Sequence, residues 1–222
     1  MTEALRVATL ISGSGSNLKS LIEAQARGAL PLQLVQVISN RADAGGLAHA
    51  AAAGIPQEVV NARLAGAEGE DVALQRALER SGAELILLSG YMRILGAELV
   101  RAFAGRMINQ HPSLLPKYKG LHTYRRALEA GDREHGASIH FVTPELDDGP
   151  VIAQVRVPVQ ADDSEQTLAA RLAPREHALL QGVMGLFCER RLALEADGIV
   201  LDGQPLEAPL NLQADGGLLP RH

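Results

Sequence analysis

Three short apolar runs, at residues 7–11, 34–38 and 85–88, constrain the fold of this chain more than any other feature. None shows the polar alternation of a half-exposed strand, so each reads as a strand of a parallel sheet buried on both faces. Helix-like stretches at residues 17–27, 46–53 and 71–80 lie between them. The resulting β-α-β alternation predicts an open parallel sheet, and right-handed crossovers put helices on both of its faces.

Further along, Met107-Ile108-Asn109 reads as the end of another strand, and Pro112, Pro116 and Gly120 mark a long loop after it. A short helix is predicted over residues 123–130, and strands over 137–142 and 151–159, with Pro158 near the end of the latter. Residues 164–189 read as helical in two pieces, with Ser164-Glu165-Gln166-Thr167 as cap and first turn and Pro174 as the break. Residues 192–194 and 199–201 read as edge strands, and Gly216-Gly217 with the last residues as a frayed end. The fold class is α/β: a Rossmann-like open, mostly parallel twisted sheet with helices on both faces and a mixed C-terminal part. Residues 1–190 are read as a single domain and 191–222 as a tail.

Charge and cysteine content narrow the function. The 21 Lys and Arg against 26 Asp and Glu leave a net charge of −5, so no broad nucleic-acid-binding face is expected. Cys188 is the only cysteine, which rules out an internal disulfide or a cysteine-based metal cluster and fits a reducing cytoplasm. No stretch approaches the roughly 18 uninterrupted apolar residues of a membrane helix, and the N-terminal residues lack a signal-peptide pattern. The sequence does not determine an oligomeric state.

Ser12-Gly13-Ser14-Gly15-Ser16-Asn17 follows the first strand and opens the first helix. Exposed N–H groups and the helix dipole favour an anion there. Leu18 stands where a dinucleotide fingerprint wants a third glycine, and residues 31–37 offer no ribose-binding acid. NAD is therefore disfavoured and a single phosphate fits better; the competing reading is a tight strand-to-helix turn with a serine or asparagine cap.

Asn109 and His111 leave the same face if strand geometry persists to position 111. Two donors converging on one atom suit the oxyanion formed when a nucleophile attacks a carbonyl carbon. Ser138 and His140 share a face of their own strand, and Asp147 follows in a loop ending Asp148-Gly149-Pro150. A carboxylate beside His111 is expected to raise its pKa and let it donate a proton near neutral pH. Each of these residues alone has an ordinary structural explanation; their joint arrangement carries the argument. His111, His122, His135 and His140 show no tight ligand pair, so no metal is expected.

The run Asn109-Gln110-His111-Pro112-Ser113-Leu114-Leu115-Pro116-Lys117-Tyr118, then Gly120-Leu121-His122-Thr123, resembles the signature of folate-dependent formyltransferases. The likeness continues through Gly131-Asp132, His135-Gly136, Ser138, His140-Phe141-Val142, Glu145-Leu146-Asp147 and Gly149-Pro150-Val151-Ile152, to about Arg190. The resemblance implies transfer of the formyl group of 10-formyltetrahydrofolate, as co-substrate, to the amine of glycinamide ribonucleotide in purine biosynthesis. It assigns Gly15, Ser16 and Asn17 to the substrate phosphate and Glu176 to the ribose hydroxyls. Met92, Arg93, Ile94 and Leu95, with Asn109, are assigned to the folate. Asn109, His111 and Asp147 become the catalytic residues, with Ser138 and His140 supporting them.

Three residues depart from the family pattern. Gln110 replaces an apolar residue, Asp148 stands where glycine is usual, and Pro174 lies just before Glu176. A Cβ and an added charge at position 148 are expected to alter the loop or its proton equilibria. The alternatives are a formyltetrahydrofolate hydrolase, whose relatives usually carry an N-terminal regulatory domain, and a formyltransferase acting on tRNA, which needs a polyanion surface. A non-catalytic nucleotide-binding regulator would keep the glycine turn without needing the polar triad.

Overall fold

The computed structural model describes residues 3–220. The chain divides between Asn109 and Gln110 into two compact units. In the first, β1 (Leu5–Ile11) leads through α1 (Ser16–Ala26) to β2 (Leu32–Ser39), and α2 (Gly45–Ala52) leads to β3 (Gln57–Val59). Next come α3 (Ala62–Ala65), a 3-10 turn at Gly66–Glu68, α4 (Glu70–Ser81), β4 (Leu85–Ser89), α5 (Ala97–Ala102) and the opening of β5 (Met107–His111).

The strand order here is β3-β2-β1-β4-β5. β1 pairs in parallel with β2 and with β4, and β2 with β3. Val7, Leu10, Ile11, Val37, Ile38 and Leu87 have no solvent exposure, as strands covered on both faces require. α1 turns Leu18, Leu21 and Ala24 inward as one stripe, and α4 does so with Leu74, Ala77 and Leu78. The three predicted strands and three predicted helices of this unit all form, with ends shifted by one or two residues. β3, α3 and α5 are too short to carry a legible period.

In the second unit β5 runs on to His111, followed by α6 (Thr123–Glu129), β6 (Glu134–Phe141), β7 (Val151–Pro158) and α7 (Glu165–Cys188). The remaining strands are β8 (Leu192–Glu195), β9 (Gly198–Leu201), β10 (Gln204–Pro205), β11 (Leu210–Leu212) and β12 (Leu218–Pro220). The order is β5-β6-β7-β11-β12. β6 pairs with β7 antiparallel, β11 joins β7 in parallel, and β12 returns antiparallel on β11. β8, β9 and β10 form a separate antiparallel sheet, so residues 192–194 and 199–201 pair with each other. The mixed C-terminal part is present as predicted.

Two expectations are corrected. Residues 165–188 form one helix and not two, although Pro174 lies inside it. Proline removes one hydrogen bond and costs about 3 kcal/mol in a helix interior, but Leu168 and Leu172 before it and Leu179, Leu180, Val183 and Met184 after it are all fully buried. Each such side chain contributes about 1.5–3 kcal/mol, so packing on both sides holds the helix through the proline. Ser164 and Thr167 close a capping box at its start.

The second correction concerns the tail. Gly216 and Gly217 do not fray; they make the turn between β11 and β12, where Gln213 N–H donates to the Gly217 carbonyl at 2.8 Å. Leu210 is 1% exposed and Leu212 7%. The predicted fraying at Arg221 and His222 lies outside the described residues. Burial of Leu210 against the β7 edge makes the tail part of the core: Leu210→Ala is expected to destabilise the protein by about 2–5 kcal/mol. A urea melt checks this, and an unchanged midpoint would show the tail to be an ornament.

Candidate functional site

In the first unit the glycine turn leaves its helix N-terminus open. α1 starts after Gly15, which has φ 73 and makes no side-chain cap. The serine or asparagine cap that the bland reading requires is therefore absent, and the first N–H groups of α1 are left without a capping side chain. Glycine is required at position 15 twice over, because of its left-handed backbone and because a Cβ there would lie 2.6 Å from Gly46 Cα. Asn17 Oδ1 is buried without a partner.

The turn is tied to the 92–95 segment through one hydroxyl. Ser12 Oγ donates to Asn40 Oδ1 at 2.6 Å and accepts from Met92 N–H at 2.8 Å. In that segment Met92 is 66% and Ile94 70% exposed. Arg93 does something else: its Nε lies 3.1 Å from Glu70 and its Nη2 pairs with Asp71 at 2.5 Å. Asp71 also accepts from Gly96 N–H at 3.0 Å, so the guanidinium fixes the segment to the start of α4. Leu95 is buried, 7% exposed.

In the second unit His111, His140 and Asp147 come together. Strand β5 persists to His111, which puts Asn109 and His111 on one face. His111 Nδ1 lies 3.4 Å from Asp147 Oδ2, and His140 Nε2 lies 3.6 Å from Asp147 Oδ1. Asp147 adopts φ 48, a left-handed backbone that aspartate tolerates better than most residues, and its Oδ2 accepts from Gly120 N–H at 2.8 Å. The other sides of the rings are fixed by carbonyls: His111 Nε2 donates to Tyr118 O at 2.9 Å and His140 Nδ1 donates to Phe141 O at 2.8 Å.

The electrostatics differ from the sequence expectation. Burial, the largest influence, lowers the His111 pKa, and the Tyr118 carbonyl and Asp147, which raise it, do not compensate. His111 is therefore harder to protonate than an ordinary histidine, although its predicted carboxylate partner is in place. For Asp147 burial again acts first, upward, but the neighbouring His140 ring, the Gly120 N–H and His111 together hold its carboxyl below the usual value.

Ser138 does not join the histidines. Its Oγ donates to Ser113 O at 2.7 Å and accepts from Leu115 N–H at 3.1 Å and from Gln154 Nε2 at 3.0 Å, so it anchors the loop that follows His111. Lys117 and Tyr118 are held by Asp132, at 2.9 and 2.8 Å, which sets the Tyr118 carbonyl against His111. The carbonyl of Tyr118 and the N–H of Gly120 are the functional groups that sequence reasoning missed. Both lie in the loop it marked, but a backbone group carries no residue-type signal.

The departures find places too. Asp148 pairs with Lys119, and the left-handed backbone falls on Asp147, so a Cβ at 148 brings no strain. The glycine that matters is Gly149, where a Cβ would lie 1.8 Å from Phe141 O. Glu176, on α7, is half-buried, and burial pushes its carboxyl up to about 7. Gln110 faces away from Asn109 and His111, as alternation predicts, and is 6% exposed. Among the described residues no group of His, Cys, Asp and Glu is arranged to hold a metal ion, and no helix is long and apolar enough to cross a membrane.

Comparison with known proteins gives the class: the formyl transferase family matches residues 5–184, and the chain belongs to it. It is 45% identical to phosphoribosylglycinamide formyltransferase of Escherichia coli, covering 91% of this chain and 96% of that protein. The solved structure of phosphoribosylglycinamide formyltransferase from Coxiella burnetii superposes with a TM-score of 0.86 at 41% identity, covering 97% of this chain and 98% of that one. A formyltetrahydrofolate deformylase from Pseudomonas putida is more distant, with TM-score 0.80 and 32% identity over 90% of this chain and 71% of that one.

Two outcomes test the geometry. In a histidine NMR titration of the unliganded protein, His111 is expected to titrate below its ordinary value of about 6.5. Asp147→Asn removes a charge that raises this pKa, so the midpoint is expected to fall further; a midpoint that rises or stays would show the pair to be uncoupled. The unfolded chain then binds more protons than the native one between the lowered and the ordinary value, so this histidine makes stability increase with pH across that window. For Gly15→Ala, calorimetry is expected to show weakened binding of a phosphate-bearing substrate by roughly tenfold or more, because the turn must open to admit the Cβ.

Proposed function

We propose that the protein transfers the formyl group of 10-formyltetrahydrofolate to the amine of glycinamide ribonucleotide, a step of purine biosynthesis. The observation that carries the chemistry is the buried His111–Asp147 pair at the end of β5, with Asn109 on the same strand face. The substrate amine attacks the formyl carbon, a tetrahedral oxyanion forms, and the bond from that carbon to N10 of the folate breaks. The amine loses one proton and N10 gains one, so the reaction is proton-neutral and needs no covalent enzyme intermediate, metal or NAD.

In this reading the Asn109 amide and a protonated His111 stabilise the oxyanion. Asp147 favours the charged form of His111, and the two histidines in turn keep Asp147 ionised. Both ring nitrogens of His111 face protein acceptors, Tyr118 O and Asp147, so a proton taken up by the ring in the reaction is held between them. An N–H for the oxyanion becomes available when the ring leaves the Tyr118 carbonyl. His140 supports Asp147, and Ser138 supports the loop carrying Tyr118.

The open N–H groups at Gly15, Ser16 and Asn17 receive the phosphate, and Glu176 receives the ribose hydroxyls. Met92, Ile94 and Leu95, with Asn109, contact the folate, while Arg93 holds their segment through Glu70 and Asp71. Residues 1–190 are proposed as the catalytic domain, with 191–222 as a tail that packs into its core through β11. The single, buried Cys188, its thiol pushed up to about 11 by burial, suits a cytoplasmic setting.

The test offers 10-formyltetrahydrofolate with glycinamide ribonucleotide, with water alone and with initiator tRNA. Transfer to glycinamide ribonucleotide, with little release of formate, is expected; hydrolysis as the main reaction would make the protein a deformylase. His111→Ala is expected to lower kcat by about 10²–10³-fold while changing substrate binding little, since its charge acts on the transition state. Near-wild-type turnover in that variant would remove His111 from the mechanism.

A further inference from the structure

Gln110 occupies a place where the surrounding fold offers it too few partners. It lies between Asn109 and His111 on β5, on the opposite strand face, and is 6% exposed. Its Nε2 donates to the backbone carbonyl of Glu176 at 3.4 Å, a long hydrogen bond. Its Oε1 is buried with no partner at all. Turning the amide over brings no relief, because the oxygen would then meet the Glu176 carbonyl. An apolar side chain of similar size would fill this space without leaving an acceptor unsatisfied. A buried amide oxygen of this kind calls for an explanation outside the unliganded fold.

Its surroundings supply one. Through Nε2 the amide reaches α7 at the backbone carbonyl of Glu176, the residue whose side chain is assigned to the ribose hydroxyls. Glu176 is half-buried and influences the Tyr124 phenol, whose ring lies 4.9 Å from that of His135. His135 Nε2 is likewise buried without a partner. A carboxylate and an amide oxygen are both acceptors, and vicinal sugar hydroxyls are two adjacent donors, so the chemistry of the two residues is complementary to a diol.

Resting on the function proposed above, we infer that Gln110 is a specificity-determining residue of that reaction. Its Oε1 accepts a hydrogen bond from a ribose hydroxyl of the acceptor substrate, beside the contact made by Glu176. The unsatisfied oxygen of the free protein is satisfied when the nucleotide is bound, so the residue favours a ribose over a sugar lacking that hydroxyl.

The experiment compares the wild type with Gln110→Ile, Gln110→Leu and Gln110→Glu. Each is assayed with glycinamide ribonucleotide and with its 2′-deoxy and 3′-deoxy analogues, alongside a thermal melt. The wild type is expected to prefer the ribonucleotide over at least one analogue by roughly tenfold in kcat/KM, the size of one neutral hydrogen bond. In the Ile and Leu variants that ratio is expected to fall toward one, chiefly through KM, while Tm holds or rises because an unsatisfied acceptor has gone. Gln110→Glu keeps an acceptor and is expected to retain the preference. A ratio unaltered by the apolar substitutions, or a marked drop in Tm in both, overturns the inference and makes Gln110 a structural residue. Absence of formyl transfer by the wild type instead overturns the functional reading on which it rests.

Discussion

The carboxylate of Asp147 is the constraint on which the loops of the second unit depend. A buried charge is tolerated only when it is paired and hydrogen-bonded. Here the partners are the Gly120 N–H and the rings of His111 and His140. Satisfying all three requires the loop before Gly149 to turn through a left-handed residue and the loop after β5 to bring Gly120 within reach. Asp148 and Lys119 pair across the same two loops. An added charge that looked disruptive in the sequence is neutralised and braces them.

The balance of forces on His111 shows why proximity does not decide a protonation state. Its carboxylate partner is close, but the interaction is a long one at 3.4 Å and burial opposes the charged ring more strongly. A histidine so held is harder to charge than a free one and responds to negative charge that develops nearby. That is the property wanted for transition-state stabilisation in the proposed reaction, where the oxyanion exists only transiently. Ground-state binding gains little from such a group. The glycine turn works differently, since its N–H groups are permanent donors and suit a permanent anion.

Much of the fold was legible because buried strands and amphipathic helices have distinct periods. The runs at 7–11, 34–38 and 85–88 all became strands, and the stripe of Leu18, Leu21 and Ala24 became the inner face of α1. Pro174 misled because a local propensity of a few kcal/mol was set against buried leucines on both sides that no local rule can see. The tail misled for the same reason: Gly216 and Gly217 look frayed until Leu210 finds the edge of β7. Of the candidate site, residue types were legible and partners were not. Ser138 and Arg93 carry groups able to meet a ligand, yet both are engaged in holding the protein's own segments.

By itself the sequence determined the parallel-sheet class, the glycine-rich turn between the first strand and the first helix, the spacing of Asn109 and His111, and the motif that marks a formyltransferase. These follow from periodicity and residue chemistry, which are local properties of the chain. Only the tertiary structure decided that Asp147 reaches two histidines and Gly120, that burial lowers the His111 pKa, and that Gln110 is left with an unsatisfied oxygen beside Glu176. Those outcomes depend on the distance and solvent access between residues far apart in the chain. Both are set when helices and loops pack over the sheet, and neither is written in any single segment.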